Sequence, residues 1–130
     1  MEALANDVWD ELYERVQHDL RAVVRFTPTD YDGQLRSDVA ETYDSDERER
    51  IIDETIIRQL GLTGEESDMK VGELSAFVRQ FDRAWVISWR EPDDVKSGFF
   101  VSIQRDGYDA TMADVEYCIQ YLNEEIEPRL

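Results

Sequence analysis

A run that is apolar on both faces at period two leaves a chain few ways to fold. Ala84, Trp85, Val86, Ile87, Ser88 and Trp89 form such a run. Its β-branched and aromatic residues alternate as strand residues do. Trp85, Ile87 and Trp89 share one face, and Ala84, Val86 and Ser88 share the other. A strand of this kind must be covered on both sides, so its sheet lies between two layers. The neighbouring segments are of the same type. Phe77, Arg79 and Phe81 alternate with Ala76, Val78 and Gln80 ahead of the Asp82-Arg83 corner. Glu91-Pro92-Asp93-Asp94 breaks the second run, because proline cannot donate to a ladder. Gly98 opens a third run, Phe99 to Arg105, with Phe99, Val101 and Ile103 set against Phe100. Asp106-Gly107 closes it with turn chemistry. The expectation is a three-strand antiparallel meander over residues 74–105, its inner strands sandwiched by helices.

The rest of the chain supplies the covering layers. Leu4, Val8, Leu12, Val16 and Leu20 recur at steps of four, which predicts an amphipathic helix over residues 3–20. Arg21 to Phe26 alternates as a strand, with Ala22, Val24 and Phe26 on one face. Pro28 to Gly33 has turn residues, and Gln34-Leu35-Arg36 is a short return strand. Ser37-Asp38 starts a helical turn through Tyr43. Asp44 with Glu47 reads as a capping box that opens a second helix, Glu47 to Leu60. Its buried stripe is Ile51, Ile52, Thr55, Ile56 and Leu60, with Gly61 as a left-handed stop. Asp46 and Arg50, and Glu54 and Arg58, are spaced as helix ion pairs. Residues 63–72 read as a polar loop with one helical turn. Thr111 and Asp114 form a second capping box, and Met112, Val115, Ile119, Leu122 and Ile126 line the last helix. The fold class is therefore α+β in the order αββαβββα: a five-stranded antiparallel sheet in a single domain, outer helices on one face, middle helix on the other.

Charge excludes some functions. The net charge is −17, from 31 acidic and 14 basic residues, and only Lys70 and Lys96 are lysines. Such an excess suits either a nucleic-acid mimic or cation binder, or a surface adapted to a high-salt cytoplasm, where carboxylates hold water and self-repulsion is screened. The acids are scattered rather than blocked, which favours the second. No basic stripe exists to displace counterions, so neither nucleic acid nor an anionic membrane is an expected partner. Residues 1–7 have no basic signal-peptide start, and no apolar run approaches spanning length, so a cytoplasmic location is expected. Cys118, the single cysteine, cannot form an internal disulfide.

No motif points to catalysis, and neither an enzyme nor a bound cofactor or metal is expected. His18 is the only histidine and has no cysteine or histidine company. Cys118 sits between Val115 and Ile119 on the last helix and reads as packing. Asp30-Tyr31-Asp32-Gly33 hints at a calcium loop, but with Gly33 in register Pro28 and Val39 occupy ligand positions. Asp93-Asp94, and Glu65-Glu66 with Asp68, read as solvated acids. There is neither a Walker A pattern nor a G-x-G-x-x-G. Trp85 and Trp89 at strand spacing read as core, with an aromatic pocket as the alternative.

Two resemblances add to this reading. The layout of leading helix, hairpin with Asp32-Gly33, middle helix, meander and closing helix resembles the Roadblock (dynein light-chain) family and the wider profilin-like group. Arg21 to Phe26, Leu35 to Val39 with Tyr43, and Ser97 to Ile103 with Arg105-Asp106 look like a family of short, acidic, uncharacterised haloarchaeal proteins. That family brings no assigned activity. The Roadblock-like layout puts the 74–81 strand at a sheet margin, where a long apolar edge needs a partner. It implies a homodimer with a continuous ten-strand sheet. The expected interface residues are Phe77, Val78, Arg79 and Phe81, with Ile52 and Ile56 on the helix alongside. A cover by the 63–72 loop is the alternative. The implied role is a protein-interaction or regulatory scaffold, with a small GTPase among the partner classes. The alternative is a small-ligand sensory module resembling PAS and GAF domains, with Trp85, Trp89 and Tyr31 as lining.

Overall fold

The computed structural model describes residues 2–130. α1 (Glu2–Val16) passes through a 3-10 turn, Gln17–Asp19, into β1 (Leu20–Phe26). β2 (Tyr31–Leu35), α2 (Ser37–Thr42), α3 (Ser45–Leu62) and α4 (Glu65–Met69) follow. β3 (Ala76–Gln80), β4 (Ala84–Glu91) and β5 (Asp94–Gln104) make the meander. α5 (Met112–Tyr121) runs on through a π-helical stretch, Leu122–Ile126, to a last 3-10 turn. The five strands form one antiparallel sheet in the order β2-β1-β5-β4-β3. The α+β class and the five antiparallel strands match the expectation; α2 and α4, expected as single helical turns, are short helices flanking the middle one.

Period-two alternation divides the core as predicted. Trp85, Ile87, Trp89, Phe99, Val101 and Ile103 pack beneath α1 and α5. On the opposite face Ile52 of α3 packs on Val24 and Phe26. Every β4 residue from Ala84 to Arg90 is buried, so this strand is covered front and back. Burying each large apolar side chain is worth about 2–3 kcal/mol relative to exposure. Both capping boxes form, Asp44 with Glu47 and Thr111 with Asp114.

The differences lie at element ends. The first helix stops at Val16, because Gln17 takes a left-handed φ of 52°, and Leu20 begins β1 instead of closing the helical stripe. The first hairpin turns earlier than predicted, the Thr27 N–H donating to the Asp30 carbonyl at 2.8 Å. Tyr31 to Gly33 is therefore strand rather than turn. Gly33 is needed for closeness, since a β-carbon there would strike the Val23 carbonyl oxygen of β1. α3 continues through Gly61, so that glycine is not a stop. Leu60 is 42% exposed, and its place in the buried stripe goes to Gln59, whose Nε2 donates to the Val95 carbonyl at 2.9 Å. β5 begins at Asp94, paired with Glu91 across a two-residue turn, rather than at Gly98. Met112 is exposed, and Cys118 fills the α5 stripe instead. Neither Arg50 nor Arg58 joins an ion pair among the described residues; the expected helix pairs do not close.

Candidate functional site

Two surfaces combine unusual chemistry with access. The first is the outer side of β3, which pairs with no other strand of the sheet. Val78 and Phe81 are 37% and 51% exposed there, whereas Phe77 and Arg79 are half-buried. α4 is moored to the start of this region by Glu66. Its carboxylate accepts from the Leu74 N–H at 3.1 Å and pairs with Arg90. The Leu74 N–H first, and then Arg90, hold the Glu66 carboxyl below the usual carboxylate range. No bond from α4 reaches Ala76 to Gln80 among the described residues.

The second surface is a groove of about 710 Å³ on the α3 face. α3 crosses only part of that face, and Ala22, Val24, Ala84, Val86 and Phe100 form an apolar floor beside it. Tyr31, Tyr43, Phe81 and Ile51 stand around it. Five of the chain's twelve arginines line it, Arg21, Arg48, Arg58, Arg79 and Arg83, against two acids, Asp32 and Glu54. None of the five joins an ion pair among the described residues, although the chain carries 31 acids.

These arginines arrive by different routes. A register shift between Leu20 and Ala22 turns Arg21 onto the α3 face. There Nε donates to Ser102 Oγ and Nη1 to Gln104 Oε1, each at 3.1 Å. Arg48 is committed to the fold, donating to the Tyr43 and Ala40 carbonyls. Arg79 faces the groove because it lies opposite Val86 in the β3–β4 register. Its Nε is buried and has no partner among the described residues. Burial first, and the charge of Arg58 second, hold this guanidinium below the usual arginine range, with Glu54 opposing them.

Of the other predicted residues, Ile52, Tyr31, Asp32 and Gly33 line the groove and the rest fall outside both surfaces. Ile52, expected at the interface, is only 6% exposed and belongs to the chain's own core; Ile56 is half-buried beside it. Trp85 and Trp89 are packed beneath α1 and α5, so they do not line a pocket. Their ring nitrogens donate to Gln80 and Asn123. Tyr31 does line the groove. His18 is exposed in the 3-10 turn, edge-on to Tyr13 at 6.1 Å. The Cys118 thiol is pushed up to about 12 by burial. Asp94 accepts from the Lys96 N–H and the Ser97 hydroxyl, which gives that acid a place in the turn. No group of three or more metal-binding side chains is assembled among the described residues. A second cleft, of about 730 Å³ along α1, is lined by Asp7, Asp10, Glu11 and Glu14 with Trp9 and Tyr13.

Sequence reasoning missed the arginine cluster, apart from Arg79, which it assigned to the edge. One local signal was present. Arg79 falls between Phe77 and Phe81 on a single strand face. The other four arginines are brought in by the fold.

Residues 6–123 match the family described as a domain of unknown function, DUF7522, and the chain belongs to that family. No curated protein and no solved structure matches it significantly.

Proposed function

We propose that this chain is a non-catalytic interaction module that pairs with its own copy along β3 and presents the joined sheet to another protein. The observation that carries this reading is the outer edge of β3, unpaired among the described residues, with Val78 and Phe81 exposed on it. An open edge offers unpaired backbone donors and acceptors to any strand of matching length. Its own copy matches by symmetry, and a two-fold would join two five-stranded sheets into one of ten strands. α3 packs on β5 and β4, with Ile56 half-buried and Ile57 exposed. The element order supports a Roadblock-like scaffold, for which a small GTPase is one partner class. The scattered acids support a high-salt, haloarchaeal-type cytoplasm as its setting. The sensory alternative draws no support from Trp85 and Trp89, which are spent in the core.

Sedimentation in concentrated KCl tests the pairing. The expected species has twice the 15.3 kDa chain mass. Val78→Lys returns it to the single-chain mass with its near-UV circular dichroism unchanged. A wild-type protein that stays at the single-chain mass at all concentrations refutes the reading.

A further inference from the structure

The groove on the α3 face shares Arg79 and Phe81 with the β3 edge, and its chemistry points to a ligand of its own. An apolar floor favours a body that leaves water, and a volume of about 710 Å³ falls in the range of small-molecule sites. The rim selects the head group. Arg58 and Arg79 both line the groove, and neither has an ion-pair partner among the described residues. Glu54, which also lines the groove, offsets part of their charge. A single carboxylate neutralises one guanidinium. A phosphate monoester carries close to two negative charges at neutral pH and accepts from two guanidinium forks at once. Arg79 also holds a buried, unpartnered Nε, a donor that water reaches poorly.

We propose that this groove binds a small organic phosphate, its aromatic or aliphatic body laid on Val24, Val86 and Phe100 and its phosphate held by Arg58 and Arg79. Arg21 and Arg83 line the same groove and widen the positive field around the head group. Tyr31, Tyr43 and Phe81 offer faces on which a planar body stacks. The surface as a whole repels anions, so the groove is a local reversal of the chain's −17 charge.

Calorimetric titration in KCl tests this, with n-octyl phosphate and AMP as organic phosphates. Inorganic phosphate is the head alone, n-octanol the body alone, and octanedioate a dicarboxylate control. At least one organic phosphate is expected to bind about tenfold or more tighter than inorganic phosphate or n-octanol. Arg58→Gln, on an exposed helix position, and Arg79→Gln are each expected to weaken it about tenfold or more. Arg50→Gln removes the same charge outside the groove and is expected to change affinity by less than about twofold. Four results overturn the proposal: no binding of either organic phosphate; equal binding of inorganic phosphate; equal binding of octanedioate; or equal losses in Arg50→Gln and the groove variants. Sedimentation of the same samples reports self-pairing separately, so either proposal fails without the other.

Discussion

The carboxylate of Asp19 occupies the space that a β-carbon on Gly107 would need. Asp19 is 1% exposed at the junction of α1 and β1, and it accepts backbone N–H bonds from Tyr108, Asp109 and Ala110. One buried acid thus ties the end of the first helix to the loop entering the last one. Gly107→Ala should push that carboxylate off its three donors. A loss of about 1–3 kcal/mol in chemical denaturation is expected, because buried N–H groups are left without an acceptor.

Acid should reveal the same contact. Burial pushes the Asp19 carboxyl up, but the Tyr108, Ala110 and Asp109 N–H groups and the charge of Arg36 together leave it below the usual range. An acid depressed in the folded state stabilises the fold above its unfolded-state value of about 3.9. That contribution is lost as pH falls through the folded value. Asp19→Asn should therefore cost about 2 kcal/mol at neutral pH, and less as the solution is acidified toward pH values where the wild-type carboxyl is itself protonated. Urea midpoints measured across the acid range check this; an equal loss at every pH would contradict it.

Trp89 is fully buried, tilted against Phe99 at a centroid distance of 6.1 Å, and donates to Asn123 Oδ1 at 2.8 Å. Trp89→Ala is expected to cost about 3–5 kcal/mol, the range for removing a large buried ring. Thermal unfolding gives the measurement. A ligand-lining tryptophan would instead lose binding with little change in stability.

The Cys118 thiol, fully buried and pushed up to about 12, carries almost no thiolate at neutral pH. Alkylation by iodoacetamide should be negligible in the native protein and complete in urea, followed by intact mass. Fast native labelling would show that this part of α5 opens.

Salt should stabilise the fold. With a net charge of −17 the folded chain repels itself, and salt shortens the reach of that repulsion to about 3 Å at 1 M ionic strength. The melting temperature is expected to rise by several degrees from dilute buffer to concentrated KCl. Asp7 with Arg129 and Arg36 with Asp38 are exposed pairs that should weaken slightly over the same range, without reversing the trend.

Local pattern explains which parts of this architecture were legible and which were not. β4 could be read because both its faces are apolar, and the two capping boxes because their partners are three residues apart. Gln59 could not be placed in the buried stripe, because its acceptor, the Val95 carbonyl, lies on another element. Asp32-Gly33 has turn chemistry, yet it is drawn into β2 because only a glycine lets β1 pass so closely. The groove was invisible for the same reason: Arg21, Arg58, Arg79 and Arg83 come from β1, α3, β3 and the turn before β4.

Residue order alone determined the layers and the strand pattern, since period, capping and turn preferences act over a few neighbouring residues. Tertiary structure decided where helices give way to strands, which acids are consumed by backbone donors, and which arginines share a groove. Those outcomes depend on groups far apart in the chain competing for the same buried space, and short-range preference does not carry that information.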